Sequence, residues 1–223
     1  MRYHFVVNGY ADDVLRQMEE QMGFAQKYLN GMEQGEAIIY CRSAEDVQKL
    51  ERHHSKEAVL ISAREYAPEA VLHGLCDRIA DGGLYIFGND DAGTELSVRM
   101  AARLSGSSVT EAESLWLSEE SAGDSELINK IHVMKMVYAN HMEAAFVMER
   151  EPYCISLARG AASQELRMGS FVIKEEISCE NMAEHIVSQE FYPEALAGGL
   201  DEAKVILAAG RGVKNKENMA VID

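Results

Sequence analysis

Short apolar runs alternate with amphipathic helical patterns through the first hundred residues, and this alternation limits the possible folds more than any other feature. The segments between the runs repeat apolar residues every three or four positions, as Val14, Met18, Met22, Ala25 and Leu29 do, which predicts helices. Strands that are apolar on both faces and alternate with helices predict a parallel sheet covered on both sides. We therefore predict a Rossmann-like α/β fold with three layers, in which helices cover both faces of a central sheet (α/β/α). The four predicted strands are Tyr3–Gly9, Glu36–Arg42, Ala58–Ser62 and Gly83–Gly88. Gly31 is expected to end the first helix, Pro68 to lie in the first turn of the third, and the fourth helix is predicted at Thr94–Leu104.

The pattern changes after about residue 110, where three strands are predicted in succession: "INKIHVMKMVY", "MEAAFVMER" and "PYCISLAR". We predict that the last two form a hairpin at Glu149–Pro152 and that these strands extend the mostly parallel sheet with antiparallel members. The pair Gly198–Gly199 is the best candidate for a domain boundary. This divides the chain into an α/β domain at 1–197 and a linker with an opening strand and loop at 198–223.

The composition argues against several classes of function. A formal net charge of −16 over 223 residues repels phosphate backbones and anionic lipid, so we expect no nucleic-acid or membrane partner. No apolar run approaches the roughly 18 residues of a membrane span, and the first residues lack a signal-peptide core, which predicts a cytoplasmic location. The four cysteines form no CxxC pair, and the histidines and serines match no metal or nucleophile motif. Cys41 and Cys154 fall inside apolar runs, so we expect both to be buried. We expect no catalytic residue and no metal site.

The segment "FGNDDAGTE" (Phe87–Glu95) lies where an open α/β sheet would bind a ligand, at the end of a strand that leads into a helix. Only Gly88 and Gly93 match the dinucleotide-binding glycine pattern. Asp90 and Asp91 would stand near the helix N-terminus, where a carboxylate accepts hydrogen bonds from the free backbone amides and repels phosphate. We therefore predict a capped turn that binds no nucleotide.

A second candidate site is "ILAAGRGVKNKEN", near the end of the chain. The apolar run Val205–Ala209 predicts a central parallel strand. Gly210 and Gly212 flank Arg211, so the backbone can approach a ligand while the guanidinium reaches anionic or planar groups. By spacing alone, a plain turn after a strand explains the motif equally well.

Three segments, in order, resemble the alpha subunit of the electron transfer flavoprotein family. "EAKVILAAGRGVKNKEN" is similar to the opening of that family's flavin-binding domain, with its strand, GGRG and EN-containing stretch. "LYIFGNDDAGTELSVRMAARLSGSSVTEAESL" is similar to its strand, FG turn and helix ending in ARL. "VYANHMEAAF" with "PYCISLARGA" is similar to the paired strands that close its first domain.

The resemblance implies an adenine nucleotide hydrolase-like first domain without a bound nucleotide, and an FAD held chiefly by a second domain that begins with Gly210, Arg211 and Gly212. It also implies a beta-type partner subunit and electron transfer without substrate chemistry by the protein itself. Five residues follow Asn218, whereas a flavin domain needs on the order of a hundred more. The chain is then either the first domain of a longer subunit or a single-domain relative, and we predict that Val205–Ala209 adds to the sheet or pairs with a second copy. The alternatives are a flavin-free interaction domain that binds a beta-type partner and an adenine-nucleotide-binding domain.

Overall fold

The computed structural model of the chain describes residues 1–48, 56–79, 82–121, 127–161 and 171–179, together with single positions at 188, 190, 205, 207, 208, 210 and 213. The chain divides into two compact units, Met1–His185 and Ile186–Asp223. The predicted boundary at Gly198–Gly199 lies outside the described residues and stays a prediction.

A large sheet forms the centre of the first unit. The strands of this unit are β1 (Arg2–Asn8), β2 (Glu33–Gln34), β3 (Ala37–Cys41), β4 (Lys56–Ser62), β5 (Leu84–Phe87), β6 (Ser107–Ala112), β7 (Ser114–Ser121), β8 (Leu127–Val137), β9 (Met142–Met148), β10 (Tyr153–Leu157) and β11 (Phe171–Ser178). The large sheet has the order β11–β4–β3–β1–β5–β10–β6, and β2 pairs with β1. Each of its described pairings is parallel. The predicted α/β class with a mostly parallel sheet is confirmed.

Both faces of this sheet are covered because its strands are apolar on both sides. The helices are α1 (Val14–Tyr28), α2 (Ala44–Gln48), α3 (Pro68–Arg78) and α4 (Asp91–Arg103). Along β1, Phe5 and Val7 pack with α1, whereas Val6 packs with α3 and α4. This alternation follows from the period of two in a strand and produces the three layers. None of the helices in the described part of the chain is long and apolar enough to cross a membrane.

Two local helix signals predicted from the sequence, at Pro68 and Gly31, are present in the structure. Pro68 occupies the first turn of α3, where its missing N–H costs no helical hydrogen bond. Gly31 follows α1 with a φ of +90°, a left-handed conformation that glycine adopts without strain. The fourth helix begins at Asp91 rather than at the predicted Thr94, because Asp90 is its N-cap.

The antiparallel strands form a sheet of their own, which corrects the prediction that they extend the large one. Strands β7, β8 and β9 pair in the order β7–β8–β9. The inner face of this small sheet, with Leu115, Ile131, Val133 and Met148, shares a buried cluster with α1. The small sheet therefore occupies the same layer as α1.

The predicted hairpin at Glu149–Pro152 is wrong. Strand β9 pairs with β8 in the small sheet, whereas β10 lies between β5 and β6 in the large sheet and runs parallel to both. All five residues of β10 are buried, which is typical of a central parallel strand. Because both faces of β10 are apolar, this strand pairs inside the parallel sheet and does not pair with β9, the strand before it in the chain.

Strand β11 is the outermost described strand beside β4, and it has features that oppose further pairing. Its register against β4 shifts between Ile173 and Glu175, so Lys174 is the extra residue of a bulge. A bulge and charged side chains are common protections of edge strands.

Of the segment Val205–Ala209, the described residues Val205, Leu207 and Ala208 do not lie in a strand, and all three are exposed. The predicted buried strand is therefore not formed at these three positions.

Candidate functional site

The strand order creates a topological switch point between β1 and β5. The chain runs from β1 to β3 and β4 on one side and then returns to β5 on the other side of β1. The helices that follow β1 and β5 belong to opposite layers, because α1 packs on one face and α4 on the other. In open α/β sheets, ligands bind in the crevice outside the carboxyl ends of the strands at this point. We call the space around Asn8, Gly88 and Asp90 the switch-point crevice.

The carboxylate of Asp90 is at the centre of this crevice. Its Oδ1 accepts a hydrogen bond of 2.6 Å from the backbone amide of Gly93, which caps α4. Its Oδ2 accepts 2.6 Å from Asn8 Nδ2 and 3.3 Å from Gln17 Nε2. One carboxylate thus satisfies a helix amide and two side-chain amides. The prediction that "FGNDDAGTE" is a capped turn is confirmed at Asp90.

Helix α1 fills the crevice from the other side with two glutamines one turn apart. Gln17 is 3% exposed and donates 2.9 Å to Asp13 Oδ1 in addition to its bond with Asp90. Gln21 is 1% exposed, and its Nε2 donates 2.9 Å to the carbonyl oxygens of both Val6 and Ile86. Gln21 therefore joins β1 to β5 at the switch point itself.

The side chain of Gln17 lies against Gly88, so closely that a Cβ on this glycine would collide with its amide oxygen. In a dinucleotide site, a glycine at this turn lets the backbone approach the pyrophosphate. Here the close approach is made by a glutamine of the same chain. The space that a phosphate would need is occupied by side chains with their own hydrogen-bond partners.

Asn8, Gln17 and Gln21 were not predicted from the sequence. The two glutamines could have been recognised, because they lie four residues apart, on either side of Met18, on the helix face predicted to be buried. A polar residue on such a face needs a partner within the protein. No local pattern, however, shows that this partner would be the turn after β5.

Three tyrosines line the α3 side of the same sheet edge. Tyr10 contacts Tyr40 and Tyr66, with ring centroids 6.3 and 5.6 Å apart. Burial raises the pKa of Tyr10 to about 12, and burial followed by the charge of Asp90 raises the pKa of Tyr40 well above its usual value. These phenols are therefore neutral near pH 7 and serve as packing groups rather than bases.

The second candidate site, Gly210–Gly212, is described only in part. Gly210 is exposed, and among the described residues no atom other than its own lies within 4 Å of the position that a Cβ would take. Its carbonyl oxygen accepts a 3.1 Å hydrogen bond from the backbone amide of Val213, as in a turn. Arg211 and Gly212 lie outside the described residues, so their assignment to a flavin site stays a prediction.

Nothing in the described residues adds a metal site or a reactive thiol. No group of three or more His, Cys, Asp or Glu side chains in that part of the chain is arranged to hold a metal ion. All four cysteines are free. Burial raises the pKa of Cys41 to about 11 and that of Cys154 further, so both thiols stay protonated near pH 7.

Comparison with known proteins gives no family assignment. No protein-family model matches the chain, and no curated protein matches it.

Proposed function

We propose that this chain is a first domain of the electron transfer flavoprotein alpha type, which assembles with a beta-type subunit and takes part in electron transfer through FAD. The observation that carries the proposal is the filled switch-point crevice. In this nucleotide-binding-type fold, Gln17 occupies the approach to Gly88, and Asp90, bonded to Asn8 and Gln17, places a carboxylate where the phosphate of a nucleotide would bind. This supports the resemblance, which implies a nucleotide-type first domain without a nucleotide.

In this proposal the cofactor supplies the redox chemistry and the protein positions it. Gly210 is exposed, and no described residue crowds the position of a Cβ there, which fits a backbone that approaches a ligand closely. Arg211 would contribute a guanidinium, which binds anionic and planar groups. The proposed cytoplasmic location rests on the sequence arguments alone.

The second candidate is a flavin-free interaction domain, and a feature of the small sheet favours it. On the face of this sheet opposite to the buried cluster, Trp116 stacks on His132 with ring centroids 5.1 Å apart. Trp116 is 39% exposed, and Val147, which lies opposite His132 in β9, is 45% exposed. Exposed apolar patches often mark protein–protein contacts. Both candidates bind a protein partner, and only the first also takes part in binding FAD.

The adenine-nucleotide alternative receives no support from this geometry. A nucleotide phosphate in the crevice would have to displace Gln17 and would face the carboxylate of Asp90. Calorimetric titration of the chain with AMP and ATP tests this point, and we expect no heat of binding. A measurable affinity that is lost when Gln17 is changed to alanine would remove the observation on which the proposed function rests.

The direct test is co-expression with a beta-type subunit, followed by gel filtration and a visible absorption spectrum with and without added FAD. We expect co-elution and flavin bands that stay with the complex. Arg211→Ala should weaken FAD binding roughly ten- to hundredfold, the value of one hydrogen bond to a charged group. Lys214→Ala is the matched control, because it removes a nearby positive charge outside the Gly-Arg-Gly motif.

The outcomes separate the two candidates. A complex that is colourless and ignores FAD would favour the flavin-free interaction domain. Absence of both a complex and a flavin spectrum would contradict both candidates. Equal FAD affinity of the Arg211→Ala and Lys214→Ala complexes would remove Arg211 from the proposed site.

A further inference from the structure

A cavity of about 560 Å³ opens at the amino ends of the strands, on the edge of the sheet opposite to the switch-point crevice. Its wall includes His4 in β1, Glu36 just before β3, Glu57 in β4 and Arg78 at the end of α3. Its volume lies within the range of small-molecule sites in proteins. Most of its walls belong to the central sheet, so the cavity is preformed. We call it the amino-end cavity.

The charges around this cavity balance, in contrast to the rest of the protein. Three cations, Arg2, Arg78 and Lys174, line it together with three carboxylates, Glu33, Glu36 and Glu57. Each cation forms an ion pair with one of these carboxylates. The lining is thus neutral in a chain with a net charge of −16. Alternating charges of both signs attract a ligand that also carries both signs.

His4 contributes a hydrogen-bond acceptor to the cavity. Its Nδ1 lies 3.1 Å from the carbonyl oxygen of Glu36. A carbonyl oxygen only accepts, so Nδ1 carries the proton, and in a neutral ring Nε2 is then an acceptor. Burial lowers the pKa of His4, which keeps the ring neutral near pH 7. The ring stacks on Tyr85 at 5.0 Å, which fixes its plane.

Arg78 contributes a guanidinium to the cavity wall. Its Nη2 binds the carboxylate of Glu36, but its Nε is buried and makes no hydrogen bond within the described residues. The carboxylate of Glu175 lies 3.6 Å from Nε, beyond hydrogen-bond distance. Glu36 holds both His4, through its carbonyl, and Arg78, through its carboxylate. One residue therefore holds both the imidazole and the guanidinium of this wall of the cavity.

We propose that the amino-end cavity binds a small zwitterion of the α-amino acid class. The ligand carboxylate pairs with the guanidinium of Arg78 and faces Lys174, and the ligand ammonium donates to His4 Nε2 and faces Glu57. A ligand with one charge alone pairs with cavity side chains of one sign only and leaves its own charge beside a like-charged side chain. This site is separate from the switch-point crevice and does not depend on the proposed function.

The first test is calorimetric titration of the purified chain with each of the twenty standard L-amino acids. The tightest binder is then compared with its deaminated acid and its decarboxylated amine, which carry one charge each. We expect millimolar or tighter binding of at least one amino acid and roughly tenfold weaker binding of either half-ligand, since each lacks one charge-assisted hydrogen bond. No binding of any amino acid, or equal binding of a half-ligand, would overturn the proposal.

Variants locate the binding in this cavity. Arg78→Gln and His4→Phe should each weaken the affinity at least roughly tenfold. Arg64→Gln, which changes an exposed arginine beyond the carboxyl end of β4, should leave it unchanged. His4→Phe keeps a ring to stack on Tyr85, so it gives the answer if Arg78→Gln does not fold, as judged by circular dichroism. Unchanged affinity of the folded His4→Phe variant would contradict the assignment.

Discussion

Replacement of Asp90 by alanine should destabilise the protein far more than replacement of its neighbour Asp91. The change removes the N-cap of α4, which costs about 1 kcal/mol. It also leaves Asn8 Nδ2, in a residue only 8% exposed, without its acceptor, which costs about 1–3 kcal/mol. Gln17 keeps its bond to Asp13 and adds little. The expected loss in unfolding free energy is therefore about 2–4 kcal/mol.

Two further variants separate the contributions. Asp91→Ala changes an exposed carboxylate in the first turn of the same helix and should cost about 0.5 kcal/mol through the helix dipole. Asp90→Asn keeps a side-chain oxygen for the amide of Gly93, but its own NH₂ group would face the amide of Asn8. We therefore expect Asp90→Asn to keep the cap contribution and lose the contribution of Asn8.

The assay is urea unfolding monitored by far-ultraviolet circular dichroism. The unfolding free energies of the variants are compared using one common dependence of free energy on urea concentration. If the unfolding free energy of Asp90→Ala lies within about 0.5 kcal/mol of that of Asp91→Ala, this account of Asp90 is wrong. In that case Asp90 would act as a solvated surface charge, and the crevice would not be held by the hydrogen bonds described above.

Three other predictions follow from the structure. Gly93→Ala should destabilise the protein by about 1–3 kcal/mol despite the better helix propensity of alanine, because its Cβ would lie 2.7 Å from a backbone carbonyl oxygen; a rise in the thermal midpoint would contradict this. Iodoacetamide at pH 8 should label the half-buried Cys76 before the fully buried Cys41 and Cys154, because burial restricts access of the reagent, although burial raises the pKa of all three thiols. Mass spectrometry of the peptides gives the order of labelling, and equal labelling of the three thiols would argue against their described burial. Tyr10 has a pKa raised to about 12 from 10.0, so its contribution to stability is complete below pH 10 and is lost as the pH rises through 12; in alkaline unfolding the stability of Tyr10→Phe should fall less steeply with pH than that of the wild type, and equal slopes would show that the phenol does not ionise in this range.

The reliability of the sequence analysis differed between local and long-range features. The strands β1, β3, β4 and β5 and the four helices were predicted because hydrophobic periodicity and the residues at helix ends act within a few positions. Pro68 and Gly31 illustrate this, since each requires only its own backbone geometry. The buried state of Cys41 and Cys154 was likewise predicted from the apolar runs around them, and both are fully buried.

The pairing of strands was predicted wrongly where it depended on distant partners. "MEAAFVMER" and "PYCISLAR" are neighbours in the chain, and both have strand character, so a hairpin was the simplest expectation. In the structure β10 pairs with β5 and β6, whose residues lie some tens of positions away. Strand character is local, whereas the choice of partner depends on which faces must be buried by the whole domain.

The fold class, the sheet with two buried faces and the cap at the turn after β5 can be predicted from the sequence alone, because each depends on the order of apolar and polar residues along a short segment. The side chains that fill the switch-point crevice are set instead by packing between distant parts of the chain. Asn8 and Gln17 reach Asp90 from positions 82 and 73 residues earlier in the chain. A buried amide must find a hydrogen-bond partner, but which one it finds is settled only when the parallel sheet brings the ends of β1 and β5 together.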